Sequence, residues 1–487
     1  MSKLIEIELK KIFKHKSIYI ILSIILIFCF LNNILYKLDY DADGNYKYED
    51  NIDLNKYIKE LEKELKKYDF NIDSDKNIYI TTKTKLDIAK IQQQEDKNTW
   101  QYIKCSDYLY EDIYNINYYT YNKDDNLLEK AKEDYERKLK YFKDNNWQYF
   151  VNIEKENIQN KIKELETTLL NTNDKEEKQK LNQALKNLKN DLIIINYRLN
   201  NQISYSNTYL NQVLLDYKEN LSKKDNYQNK NLTYQEKIDY NNILKTINID
   251  EYIIKNKQNI NKQNTLNYQL RTIVDDYELF IIIIILISAS ILIGEEFNKG
   301  TIKLLLIKPY KRSKILLSKY LASLLVILFT ILFIILSELI IGGLFLGFDS
   351  LSIPMVVYNF TSSKIELFNI FTYMLIRILT KLPLLIMIQT IAFTLGIILN
   401  NTIATFSITI LLYTFSEVIN NLIINYKLKF MSLFITMNWN FKDYLFGGLS
   451  TFEYINLKKS ILIYLIYVII LMGTMFISFN KKNIKNV

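Results

Sequence analysis

Gly294-Glu-Glu-Phe-Asn-Lys-Gly-Thr-Ile-Lys-Leu-Leu-Leu-Ile-Lys-Pro-Tyr-Lys-Arg-Ser-Lys-Ile-Leu-Leu-Ser-Lys319 is a charged segment set between two long apolar runs. It opens on paired acids, Glu295 and Glu296, turns at Gly300-Thr301 and breaks at Pro309. Seven Lys or Arg follow Glu296, and no acid does. A short basic loop between two membrane spans is expected on the cytoplasmic side. The sidedness of this segment therefore orders the rest of the chain.

Outward from it, the composition is segregated. The 487 residues are 49% hydrophobic, yet mean hydropathy is near zero. Residues 37–276 are polar and charged, whereas 18–36 and 277–479 are dominated by Ile, Leu and Phe. Several apolar runs reach the roughly 18–20 residues that cross a hydrocarbon core of about 30 Å. The spacing predicts spans near 18–36, 277–294, 316–346, 368–399, 402–424 and 460–479. The expected fold class is an all-α membrane protein with six transmembrane helices.

Residues 1–17 interleave Leu4, Ile5, Leu9, Ile12 and Phe13 with Lys3, Lys10, Lys11, Lys14 and Lys16. This predicts a cytoplasmic amphipathic helix on the membrane surface. No small-residue cleavage site follows Leu31, so the first span is expected to be retained. Alternation from a cytoplasmic amino terminus places 37–276 outside, 294–315 inside, 347–367 outside, 400–401 inside, 425–459 outside and the tail 480–487 inside. The Lys-rich segments agree with that order. Segment 425–459 mixes Lys with Phe430, Leu433, Phe434, Trp439 and Phe441, which predicts an interfacial hairpin.

Within 37–276, Val151, Ile158, Ile162, Leu165 and Leu169 mark one apolar seam, and Leu181, Leu185, Leu188, Leu192, Ile195 and Leu199 mark another. Steps of three and four predict a coiled-coil hairpin over about 150–205, turned at 171–175 with Asp174 as helix cap. Trp147, Tyr149 and Phe150 read as a packed joint at its base.

Little catalytic chemistry is present. His15 is the only histidine, which argues against Ser-His-Asp catalysis and His-based metal sites. No Gly-x4-Gly-Lys-Ser/Thr occurs, so the chain is expected not to be an enzyme and to bind no ATP by a P-loop. Cys29 and Cys105 fall in segments that should not meet. The net charge of +9 reads as basic residues flanking spans and not as a nucleic-acid footprint. The Lys, Asn, Ile and Tyr bias is that of an AT-rich genome, as in a low-GC Gram-positive bacterium.

Six spans, a basic amphipathic amino terminus, a large insertion after span one, and Glu295-Glu296-x3-Gly300-Thr301 with Leu304, Pro309, Arg312 and Lys319 together resemble the ABC-2 family of ABC transporter permeases. The resemblance covers 1–36 and 277–487 and is most specific over 295–319. Tyr310-Lys311 between Pro309 and Arg312 departs from the family pattern. The resemblance implies a permease subunit in the cell membrane, paired as a homodimer or with a sister permease. A separate ATPase subunit would bind ATP and Mg and grip Glu295, Glu296, Gly300, Thr301, Leu304, Pro309, Arg312 and Lys319. Arg312, Lys314 and Lys319 are expected at lipid headgroups. By analogy the cargo is an antimicrobial peptide, an antibiotic or a lipid-like molecule. A rival expectation is a non-transporting envelope scaffold or phage-receptor-like membrane protein.

Glu338 and Glu417 lie in apolar runs, where a charge costs roughly 2.5–3.5 kcal/mol or more. They are either a candidate substrate path or headgroup contacts near the outer interface. Arg377 and Lys381, just before Pro383, read as an outer helix end or as partners of one of those acids.

Overall fold

The computed structural model describes residues 1–39, 53–68, 73–227, 231–257, 264–294, 296 and 310–481. Its helices are α1 (Ser2–Phe13), α2 (Lys16–Asp39), α3 (Leu54–Leu65), α4 (Asp73–Gln92), α5 (Trp100–Asn122), α6 (Asp125–Lys143), α7 (Trp147–Asn171) and α8 (Lys175–Asn201). There follow α9 (Tyr209–Asp225), α10 (Tyr234–Asn256), α11 (Leu266–Asp276), α12 (Glu278–Ala289), α13 (Arg312–Leu346), α14 (Ile370–Leu399), α15 (Thr402–Asn425) and α16 (Leu457–Lys481). The chain divides into two compact units, one of Met1–Tyr40, Lys230–Asn242 and Ile260–Val487, the other of Asp41–Asn229 and Ile243–Asn259.

In the first unit, α2, α13, α14, α15 and α16 are long and apolar enough to cross a membrane. The pair α11 and α12, bent by 41° at Tyr277, makes a sixth if it is counted as one span. The run Ile281–Leu286 explains which helix is central. Ile281, Ile282, Ile284, Ile285 and Leu286 are all buried, as expected for a helix that is apolar all round. By contrast α15 and α16 leave apolar side chains such as Leu411, Phe415, Ile469 and Ile470 exposed, the surface that a bilayer would cover. Asn400 ends α14 in the left-handed conformation, and the Asn401 side chain accepts from the amides of Ile403 and Ala404 to start α15. Two short polar residues thus reverse the chain between apolar helices.

The expectation of an all-α chain is corrected at 347–367. Met355–Asn359 and Lys364–Phe368 form a two-stranded antiparallel sheet, with Val357 opposite Glu366. The β-formers Val356, Val357 and Tyr358 favour extended backbone, and Asn359 closes the turn by accepting from the amides of Thr361 and Ser362. The amphipathic helix also ends at Phe13, before the expected residue 17, and the chain breaks at Lys14-His15 before α2 begins.

In the second unit, Trp147, Phe150 and Val151 pack with Trp100, Leu109 and Phe142 into one core. This is the joint expected at the base of the hairpin. Tyr149 stacks on Tyr141 with centroids 4.0 Å apart. Helices α7 and α8 are joined by 172–174, where Asp174 caps α8 through the amide of Glu176. Cys29 and Cys105 are both free and buried, one in each unit.

One polar group of this unit stands out. Asp250 on α10 is buried with Oδ2 unpaired. Burial, and next the charge of Asp216 on α9, push its carboxyl up to about 7. The unfolded chain releases this proton near pH 4 and the folded chain holds it to about pH 7, so stability falls as pH rises through that window. Asp250→Asn should flatten the slope. Above pH 7 it should raise unfolding stability by about 1–3 kcal/mol, measured as melting of the full-length protein at pH 5 and pH 8.

Candidate functional site

At one end of the apolar unit a lysine is fully enclosed. Lys319, in the third turn of α13, is 0% exposed. Its Nζ donates to Glu8 Oε1 and Oε2 at 3.0 Å each and to Glu296 Oε1 at 2.7 Å. Glu8 and Glu296 are buried as well, and Lys11 pairs with Glu296 from its half-exposed position on α1. Two cations and two anions thus balance. A buried charge is tolerated only when it is paired in this way. The cluster joins three pieces of chain: helix α1, Glu296 beyond the turn that follows α12, and the start of α13.

The backbone leading into this cluster is irregular. After α12 the chain makes a π-helical turn, Ser290–Gly294, a form that is rare and often marks functional positions. Gly294 lies against α15. A Cβ there would stand 2.1 Å from Thr402 Cγ2 and 3.3 Å from Thr402 Cα, so no larger residue fits without a shift. Arg312 donates through Nη1 to the carbonyl of Asn480 at 3.0 Å. Of the described residues, Glu8, Lys11, Gly294, Glu296, Arg312, Lys319, Thr402 and Asn480 therefore gather at one end.

The opposite end collects the other connections. Phe360 N donates to Phe446 O at 2.8 Å, joining the β-hairpin to the 425–459 segment. That segment is built of short 3-10 turns, Lys429–Leu433, Ile435–Met437 and Lys442–Gly447. Here Arg377 pairs with Asp275, and Lys381 with Asp275 at 3.1 Å and Glu278 at 2.5 Å. Lys442 adds a bond to Asp275 at 3.1 Å. The ion pairs hold the α11–α12 bend against α14.

Between the two ends, Glu338 is 1% exposed. It accepts from Asn33 Nδ2 at 2.8 Å, Tyr277 OH at 3.1 Å and Cys29 Sγ at 3.2 Å. The headgroup reading of Glu338 is therefore corrected: its helix turns it toward α2 and Tyr277, away from the surface. Glu417 is exposed on α15 and is not part of that network.

Of the residues expected to couple, the structure brings together Glu296 and Lys319 and places Arg312 at the same end. Glu295, Gly300, Thr301, Leu304 and Pro309 lie outside the described residues, as does the tail beyond Lys481. Lys319 is not at the headgroups, because two carboxylates enclose it. Arg377 and Lys381 do form internal ion pairs, but with Asp275 and Glu278 and not with Glu338 or Glu417. Sequence reasoning also passed over Glu8. Its signal was present: Glu8 continues the stripe of Leu4, Ile5 and Ile12, and an acid on the apolar face of a helix must find a cation. The four-residue spacing of Arg377 and Lys381 likewise called for acids on a facing helix.

Comparison with known proteins adds likeness without a named activity. Residues 243–485 match the family described as Protein of unknown function (DUF2705). The chain is similar to the uncharacterized protein YhcI of Bacillus subtilis (strain 168), 26% identical over 245 residues, which are 50% of this chain and 76% of that protein. No solved structure matches.

The enclosed lysine gives a direct stability test. Lys319→Met strands Glu8 and Glu296 without their shared cation and should cost about 3–5 kcal/mol. Adding Glu8→Leu should restore at least about 1 kcal/mol, since the pair is coupled. Denaturant unfolding of the detergent-purified variants reads both values.

Proposed function

We propose that the chain is the membrane subunit of an ABC exporter, moved by a separate ATPase that grips the 295–319 segment. The observation that carries the reading is the enclosed Lys319–Glu8–Glu296 cluster. Glu296 and Lys319 bracket the segment of the ABC-2-like pattern, and both are fastened to α1. A push on that segment would reach α13 and α1 together, because separating them strands buried charges. α13 is 35 residues long, about 52 Å at about 1.5 Å per residue, so a displacement at its start would be felt across the membrane. In this reading α1, 294–315, 400–401 and the tail face the cytoplasm. The second unit, with the α7–α8 hairpin, lies outside the cell. The described residues support that order, since α1, Glu296, Arg312, Thr402 and Asn480 gather at one end. The cargo belongs to the classes that the resemblance implies, an antimicrobial peptide, an antibiotic or a lipid-like molecule. Pairing with a second permease would complete the unit.

Co-expression with the ATP-binding-cassette protein encoded nearest to it tests the reading. The wild-type chain should retain the ATPase through purification, and Glu296→Ala or Gly300→Pro should lower its recovery at least about tenfold, a loss of about 1.4 kcal/mol in affinity. Equal recovery with all three chains would sink the proposal. Sidedness is tested separately. A membrane-impermeant thiol reagent should label Gly300→Cys only from the cytoplasm and Thr172→Cys only from outside intact cells.

A further inference from the structure

The three groups around Glu338 come from two different helical segments, Asn33 and Cys29 from α2 and Tyr277 from the bend between α11 and α12. Each is turned so that a donor meets the carboxyl: Asn33 Nδ2 and Cys29 Sγ from one side, and Tyr277 OH from the other. Three donors directed at one carboxyl complement the acceptor-only ionised form. Among the described residues no Lys or Arg is paired with Glu338, in contrast to every other fully buried acid of the apolar unit described above: Glu8 and Glu296 have Lys319. A negative charge so placed lacks its counter-charge.

A second observation at the same place points to a missing partner. Asn33 is 0% exposed, and its Oδ1 has no hydrogen-bond partner. Buried carbonyl oxygens are rarely left in this state unless a water, an ion or a ligand completes them. Glu338 Oε1 and Asn33 Oδ1 both face Gly342, from which a Cβ would stand 2.8 Å from the first and 3.2 Å from the second. Leu266 Cδ1 would stand 2.9 Å from the same Cβ, so a side chain at 342 would press on both oxygens and on Leu266.

We propose that Glu338 and Asn33 form an intramembrane binding site for a single positive charge, with Cys29 and Tyr277 orienting the carboxylate. The oxygens suit either an alkali ion or a protonated primary amine on an organic cargo. The site lies beside the α11–α12 bend, so the occupant would also bear on that hinge through Tyr277. The proposal concerns this chain alone and stands whether or not an ATPase grips the 295–319 segment.

The test uses the full-length protein purified in a neutral detergent at fixed pH and ionic strength. Replacing N-methylglucamine by sodium or potassium, or adding octylammonium against octanol as its uncharged counterpart, should raise the melting temperature by about 2–4 °C or more. A response to the alkali ions assigns an inorganic cation, and a response to octylammonium alone assigns the amine of a cargo. Glu338→Gln should remove the response, and Gly342→Ala should weaken it. Because Glu338→Gln also alters a buried hydrogen-bond network, the wild-type protein supplies a second readout. Modification of Glu338 by dicyclohexylcarbodiimide, followed by peptide mass spectrometry, should slow about tenfold when the cation is about tenfold above its dissociation constant. If melting and labelling follow pH alone and ignore every cation, the carboxyl is neutralised by a proton and the site does not exist. A cation response that survives in Glu338→Gln equally overturns the assignment.

Discussion

Lys319 is enclosed on every side, and its ammonium group is satisfied by two carboxylates from separate stretches of chain, 311 and 23 positions before it. An isolated charge in that position would cost several kcal/mol, so Glu8 and Glu296 cannot leave without destabilising α13. Helix α1, Glu296 beyond the π-helical turn, and α13, the longest described helix of the unit, are thereby held to one arrangement. Packing alone would not do this, because apolar helices slide over one another with small changes in buried area. The charges fix the register.

A similar constraint operates at the other end, with different partners. Asp275 and Glu278 flank the bend at Tyr277, and Arg377, Lys381 and Lys442 reach them from α14 and from the 425–459 segment. The central helix is consequently tied at both ends by ion pairs and buried by Ile side chains between them. Its two irregular points, the 41° bend and the π-helical turn at Ser290–Gly294, are where such a helix can change shape without breaking its middle. Under the proposed coupling, a force applied past Glu296 meets the π turn first and the bend last.

The apolar helices were legible because their signal is local. Runs of Ile, Leu and Phe longer than about 18 residues have one stable environment, and the observed ends of α14, α15 and α16 fall within three residues of those expected. Asp174 as a cap and Trp147 with Phe150 as a joint were readable for the same reason. The short sheet at Met355–Phe368 was not, since five-residue strands carry too few alternating positions to stand out beside apolar helices. The partners of Lys319, Arg377 and Lys381 were also out of reach. Glu8 and Lys319 are 311 positions apart, and nothing local links them.

The sequence by itself determined that this is a chain of apolar helices long enough to cross a membrane, with a large polar helical region among them, and that a basic segment sits between two of the apolar runs. Those properties follow from hydropathy and charge, which each residue carries wherever it lies. Only the tertiary structure decided which charges answer one another: Lys319 with Glu8 and Glu296, Arg377 and Lys381 with Asp275 and Glu278, and Glu338 with neutral donors alone. Pairing is a property of distance in space. In a bundle of long helices it brings together residues from hundreds of positions away, and no spacing along the chain encodes that.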